Sequence, residues 1–150
     1  MRIVSTYLIL LSVFAIPAGA ASSNSTVPEE RTLASLEQRA AQAPANSQCY
    51  VYAQLVHEMI EYSLRQYAAG NPDKASGMLK RSQEFTRVIR ERLDGKVKRL
   101  KEAQILLRRT SYRLTDLLHA GSYDDSILVQ QTLAQLNQTQ DDLMLQLFKK

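Results

Sequence analysis

The chain has little material for disulfides, irregular loops or a catalytic centre. Its 150 residues include one cysteine, two histidines, four prolines, five glycines and no tryptophan. A single cysteine excludes an internal disulfide framework, and so few glycines and prolines leave little irregular chain for a preorganised pocket. The motifs of serine hydrolases, phosphate-binding loops, thiol redox proteins and zinc proteases are also missing. We therefore expect no catalytic, cofactor-binding or metal-binding residues, and a protein that is not an enzyme.

Long hydrophobic runs are also scarce, and the one that exists lies at the N-terminus. Met1 and Arg2 precede an apolar stretch over residues 3–16, which Pro17 and a group of small residues follow. This pattern is typical of a secretory signal peptide, here residues 1–20. No later run reaches the roughly 18 apolar residues that a membrane-spanning helix needs. The sequence predicts an exported protein, periplasmic or extracellular, with no stable transmembrane anchor after cleavage.

Two segments follow the predicted signal peptide. Residues 21–46 are poor in large apolar side chains, and we interpret them as a flexible tether in which a short helix can form from Pro28 to Gln42. Residues 47–150 are predicted to form one helical domain. Cys49 lies near the start of this domain, and we interpret it as a small buried apolar residue rather than a redox thiol or a link between two chains.

A seven-residue repeat dominates the centre of the domain. It places these residues on one helical seam: Leu79, Thr86, Leu93, Leu100, Leu107 and Leu114. The repeat passes through Asp94 and Gly95 without a shift, and one glycine inside a helix costs only about 1 kcal/mol relative to alanine. The pattern predicts a single helix from Pro72 to His119, roughly 70 Å long. A chain reversal at Gly95, which would give a compact four-helix bundle, is the alternative.

Shorter helices are predicted on both sides of the long one. The first covers residues 47–69 and ends at Gly70, and the last follows Gly121, where Ser122 and Asp125 resemble a capping box. The predicted fold class is all-α, an extended helical hairpin or coiled-coil rod with one long central helix and two half-length antiparallel helices. Because each outer helix covers only half of the long helix, part of the leucine seam is expected to be exposed.

Positive charge is concentrated on the same segment. Residues 80–113 contain twelve basic and four acidic residues, a net charge of +8. This excess is typical either of a surface that binds an anionic partner or of a solvated outer face that the acidic outer helices partly neutralise. Export together with the lack of interleaved aromatic residues argues against nucleic acid as a partner. We expect a protein partner or self-association, or contact with an anionic component of the cell envelope. The candidate interaction surface joins the seam leucines to the basic residues: Leu79, Leu93, Leu100, Leu107, Leu114, Arg87, Arg90, Lys98, Arg99, Lys101, Arg108 and Arg109.

Several short segments carry a resemblance to a family. They are Lys98-Arg99-Leu100-Lys101, Ile105-Leu106-Leu107-Arg108, Arg113-Leu114-Thr115-Asp116-Leu117, Asp124-Asp125 and Leu145-Gln146-Leu147-Phe148. Over about residues 47 to 149 the chain resembles an uncharacterised family of small exported all-helical bacterial proteins. In size, charge and export it is also similar to helical periplasmic holdase chaperones. The first hypothesis is a non-enzymatic interaction protein that uses its coiled-coil-like seam, and the alternative is a holdase-type or envelope-stress chaperone that uses its basic helical face.

Overall fold

The computed structural model describes residues 26–120 and 124–149, with side chains from Glu29 onward, so the predicted signal peptide lies outside the described residues. The described chain forms five helices and no strand, which confirms the all-helical prediction. None of these five helices is both long enough and apolar enough to span a bilayer. Their bounds are α1 Thr26–Gln42, α2 Gln48–Ala68, α3 Pro72–Glu91, α4 Leu100–Ala120 and α5 Ser126–Phe148.

The turn between α2 and α3 follows the predicted chemistry. Gly70 has a φ of 77°, in the left-handed region that glycine adopts without steric cost. The Gly70 N–H donates to the Tyr67 carbonyl at 3.1 Å, and the Asn71 N–H donates to the Gln66 carbonyl at 2.9 Å. These two bonds close the last turn of α2, and Pro72 begins α3 with a φ already suited to a helix. The predicted hairpin between the first two helices of the domain is therefore confirmed.

The prediction of one long central helix is wrong. α3 ends at Glu91 and α4 begins at Leu100, and the loop between them reverses the chain. Gly95 in this loop has a φ of 87°, a left-handed conformation that a continuous α-helix does not contain. The Lys98 N–H donates to the Asn46 carbonyl at 2.8 Å, so α4 begins beside the start of α2. The four-helix bundle that the sequence left as the alternative is the observed arrangement.

The four helices α2 to α5 form this bundle. α2 packs against both α3 and α4, and α5 packs against the same two helices, so α2 and α5 lie on one diagonal and α3 and α4 on the other. Contacts that advance together along both helices, from His57 with Thr110 to Glu61 with Arg113, show that α2 and α4 are parallel. Two antiparallel hairpins, α2 with α3 and α4 with α5, are therefore stacked side by side.

The predicted exposed seam lies inside the bundle. All five leucines of the candidate interaction surface are at most 8 % exposed, with Leu93 and Leu100 buried on opposite sides of the reversing loop. Leu93 and Leu100 keep the seven-residue spacing across the loop because both pack into the same core. The spacing is the same whether the chain continues straight or reverses, so it does not predict the direction of the chain. The seam is therefore part of the core in this structure and not a surface open to a partner.

α1 packs on the outer side of α2 and runs antiparallel to it. Leu33 is 6 % exposed and Ala40 is fully buried against the bundle. Near the N-terminal end of α1 the Tyr62 hydroxyl donates to the Glu30 carboxylate at 2.7 Å. Residues 26–42, which the sequence placed in a flexible tether, thus form the short helix considered there and belong to the packed structure.

Candidate functional site: a groove between α1, α2 and α4

The basic residues predicted as one surface are distributed over several faces of the bundle. Arg90 forms an ion pair with Asp142 at 2.6 Å, and Arg87 pairs with Glu91 at 3.4 Å. Arg108 lies against Tyr112, with its guanidinium 5.9 Å from the ring centroid. Lys98 and Lys101 are exposed near the start of α4. Only Arg99 and Arg109 approach the site described next, so the bundle does not assemble the predicted leucine and basic surface as a whole.

An open groove runs along α2 with α1 on one side and α4 on the other. It has a volume of about 800 Å³. We call it the basic groove and define it by its lining residues: Arg31, Thr32, Ser35, Leu36, Arg39, Tyr50, Gln54, His57, Glu58, Leu106 and Arg109. It exists because the reversal at residues 92–99 places α4 beside α2, while α1 covers a different part of the same helix.

Three arginines give this groove its charge. Arg31 and Arg39 lie on α1 and Arg109 lies on α4, and all three are exposed. Among the described side chains, none of the three forms an ion pair with a carboxylate; Arg39 instead donates to the Gln54 side-chain oxygen at 3.4 Å. Glu58 is the one carboxylate in the lining, so the basic groove carries a net positive charge.

Tyr50 is held in place at one end of the groove. Its hydroxyl accepts a hydrogen bond from the Gln54 amide nitrogen at 3.2 Å. The Arg99 guanidinium lies 3.7 Å from the centroid of the Tyr50 ring, a cation–π contact. Because Arg99 is the last residue before α4, the reversing loop both positions α4 and adds a fourth cation near this end of the groove.

His57 lies in the groove wall with a defined hydrogen-bond partner. The Thr110 hydroxyl donates to the Leu106 carbonyl at 2.9 Å, and His57 Nδ1 lies 2.8 Å from the same hydroxyl oxygen. The Thr110 hydroxyl therefore joins α4 to His57 on α2, and the tautomer of the imidazole decides which of the two groups donates.

An ion pair joins α2 to α4 one turn beyond His57. Arg113 donates to the two carboxylate oxygens of Glu61, at 2.9 Å and 3.3 Å. Burial alone would raise the pKa of Glu61, but the hydrogen bond and the charge of Arg113 outweigh it and hold that pKa below its ordinary value. The ion pair thus links α2 to α4 just beyond the residues that line the groove.

The described residues also include one thiol and several side chains of the kinds that bind metals. Cys49 is fully buried, and burial raises the pKa of its thiol to about 12, so the thiol stays protonated at neutral pH. The thiol therefore behaves as the buried apolar group that the sequence indicated. Within residues 29–120 and 124–149, no three histidine, cysteine, aspartate or glutamate side chains come together as metal ligands.

Sequence reasoning missed most of the residues that form the basic groove. The sequence pattern places Arg31 and Arg39 in the tether, and Tyr50 and His57 lie outside the candidate interaction surface. The spacing of Arg31, Ser35 and Arg39 was the available signal, because steps of four residues place side chains on one helical face. That face differs from the one carrying Leu33 and Ala40, so the pattern already described a helix with one buried face and one basic face.

Comparison with known proteins gives no similarity from which a function can be transferred. No family model matches the chain, and no match was found among curated proteins or among solved structures.

Proposed function

We propose that this chain is a non-enzymatic, exported interaction protein that binds an acidic segment of a partner protein in the basic groove. The observation that carries the proposal is the convergence of Arg31, Arg39 and Arg109 on one groove, with none of them ion-paired to a described carboxylate. Arginines in this state are open to charge-assisted hydrogen bonds with carboxylates of a ligand. We therefore assign the interaction surface to the basic groove and not to the leucine seam.

The shape of the groove favours a protein segment over other anions. The lining combines apolar and aromatic residues with arginines, and these residues come from three different helices. A protein segment can enter the groove and contact both Leu36 and the arginines on its two sides. The predicted export argues against nucleic acid, since the chain would leave the compartment where nucleic acid is abundant.

Binding of poly-L-glutamate, measured by isothermal titration calorimetry, tests the proposal. A variant with Arg31→Gln, Arg39→Gln and Arg109→Gln is expected to bind at least about tenfold more weakly, because three charge-assisted contacts are removed. Binding to the unmodified chain is also expected to weaken as salt is added, because the arginines are exposed and screened.

A second triple variant controls for net charge. Lys80→Gln, Arg87→Gln and Lys101→Gln remove the same charge from exposed positions outside the groove. This control is expected to keep most of the affinity. Equal losses in the two triple variants would show that only the overall charge matters and would overturn the groove as the binding site.

A holdase-type chaperone remains the second candidate, and one feature of α5 favours it. Apolar side chains are exposed in its last turns: Met144 at 37 %, Leu145 at 67 %, Leu147 at 37 % and Phe148 at 75 %. Exposed apolar side chains are what an unfolded client would contact. The chain is then expected to suppress aggregation of an unfolded outer-membrane protein. A variant with Leu145→Ser and Phe148→Ser is expected to suppress it less. No suppression by the unmodified chain at any salt concentration would rule out the holdase function.

A further inference from the structure

The basic groove combines charge with apolar surface in an ordered way. Leu36 on α1 and Leu106 on α4 are partly buried and line opposite sides of the groove, and the Tyr50 ring lies on α2 at one end of it. Arg31 and Arg109 lie beside these apolar residues on α1 and α4. A ligand that satisfies the whole groove therefore needs apolar side chains along its centre and carboxylates along its edges.

The spacing of the arginines agrees with a helical ligand. Arg31 and Arg39 are eight residues apart on α1, which places their Cα atoms about 12 Å apart along the helix axis. Acidic residues seven or eight positions apart on a second helix lie on one face at nearly the same separation. A helix lying along the groove would thus present carboxylates in register with both arginines.

The bundle already binds one helix of this chemistry. α1 inserts Leu33 and Ala40 against the bundle, and three of its glutamates face cations of neighbouring helices. The pairs are Glu29 with Arg65 at 3.4 Å, Glu30 with Lys74 at 3.8 Å, and Glu37 with Arg81. An apolar stripe flanked by carboxylates is therefore a ligand type that the outer surface of this molecule accommodates, here within its own chain.

We infer that the acidic segment binds the basic groove as an amphipathic helix. Its apolar residues, spaced three and four positions apart, contact Leu36, Leu106 and the Tyr50 ring. Its carboxylates accept hydrogen bonds from Arg31, Arg39 and Arg109. This is helix-in-groove recognition with charge on both sides, and it deepens the proposed function, on which it rests.

Three probes of matched chemistry test the inference. The first is a synthetic peptide of about 18 residues, five turns of helix, with leucines on one face and glutamates beside them. The second is a scrambled peptide of the same composition with no apolar face, and the third is poly-L-glutamate. Fluorescence anisotropy is expected to show the amphipathic peptide binding at least about tenfold more tightly than the scrambled one. Circular dichroism is expected to show its helix content rising on binding.

Substitutions of the apolar lining add an independent readout. Leu36→Ala and Leu106→Ala are expected to weaken the amphipathic peptide about fivefold or more and to leave poly-L-glutamate unchanged, because only apolar contact is removed. Leu128→Ala is the matched control, since Leu128 is also partly buried but lies on α5 outside the groove. The control is expected to bind all three probes as the unmodified chain does.

The outcomes separate the inference from the function on which it rests. Equal affinity for the amphipathic and scrambled peptides would overturn the helical ligand and leave acidic binding in place. Unchanged binding of the amphipathic peptide by the Leu36 and Leu106 variants would also overturn it. No binding of any of the three probes would overturn the proposed function itself.

Discussion

At the scale of single residues, buried hydroxyl groups distinguish this core from an all-leucine bundle. Thr86, Thr110, Thr132 and Thr139 are at most 1 % exposed, and each hydroxyl donates to the carbonyl four residues earlier in its own helix. That carbonyl already accepts the backbone bond of the helix, so the side-chain bond adds little. Each hydroxyl therefore has a hydrogen-bond acceptor within its own helix. It links two helices only where its oxygen also contacts a side chain of another helix.

Two threonines with different partners give opposite predictions. Thr139→Val exchanges a hydroxyl that bonds only to its own helix for a methyl group and is expected to raise the free energy of unfolding by about 0.5–1 kcal/mol. Thr110→Val also removes the hydrogen-bond partner of His57 Nδ1 and is expected to lower the free energy of unfolding by about 1 kcal/mol. Urea unfolding measures both variants. A shift of the same sign in the two would contradict this account of the hydroxyls.

The ion pair between Glu61 and Arg113 predicts a pH dependence of stability. Because the pKa of folded Glu61 is below its ordinary value of 4.5, the pair stabilises the fold fully above that value and loses its effect as the pH falls through the lower, folded pKa. Arg113→Gln is expected to lower the free energy of unfolding at pH 7 by about 0.5–1 kcal/mol. The difference from the unmodified chain is expected to shrink below pH 4.5.

An exposed ion pair provides the control for this pH series. Arg87 and Glu91 have side chains that are 68 % and 56 % exposed, so Arg87→Gln is expected to change stability little at any pH. Urea unfolding between pH 3 and pH 7 measures both variants. A constant difference between the unmodified chain and the Arg113 variant across that range would show that Glu61 keeps an ordinary pKa in the fold.

At the scale of the elements, the sequence predicted the helices better than their connections. Apolar spacing and Gly70 located α2 and the hairpin, because both signals are local to the turn and the helix face. The repeat favours a continuous helix over a reversal at Gly95, because Leu93 and Leu100 keep the seven-residue spacing while the chain changes direction. The direction of the chain after Gly95 is decided by the packing of α3 and α4 against α2 and α5. A periodic pattern within one segment does not show which other helices pack against it.

The same limitation explains what was missed at the candidate site. Arg31 and Arg39 share a face of α1 that the sequence could indicate, but Arg109 joins them only because α4 folds back beside α2. The basic groove is a property of three helices together. The excess of positive charge over residues 80–113 includes Arg99 and Arg109. It does not distinguish these two arginines, which lie at the groove, from Arg90, which forms an ion pair with a carboxylate on α5.

Two glycines predict opposite effects of one substitution. Gly95 has a positive φ, where an alanine is strained, so Gly95→Ala is expected to lower the free energy of unfolding by about 1 kcal/mol. Gly77 lies inside α3, and an added Cβ meets no atom within 4 Å. Gly77→Ala is expected to raise stability by about 0.5–1 kcal/mol, because alanine loses less backbone freedom in a helix. Thermal and urea unfolding measure both, and a gain from Gly95→Ala would contradict a tight reversal there.

At the scale of the whole molecule, the reversal decides which surface is available for function. In a continuous rod, half of the leucine seam would face solvent and α4 would lie far from the first helix of the hairpin. In the bundle, the seam is closed within one chain, and α4 and α1 border the basic groove on α2. The central claim is therefore that α3 and α4 run in opposite directions within one compact bundle.

A distance between spin labels on α3 and α4 tests this claim most directly. Gly77→Cys and Asp116→Cys place labels at two exposed positions, and the native Cys49 is expected to stay unlabelled because it is fully buried with a raised thiol pKa. In the bundle both labels lie at the end of the molecule that holds the α2–α3 turn. Pulsed electron–electron double resonance is therefore expected to give a distance of about 20 Å between the two labels. A separation of about 58 Å, the length of an uninterrupted helix between the two positions, would contradict the reversal and the groove that depends on it.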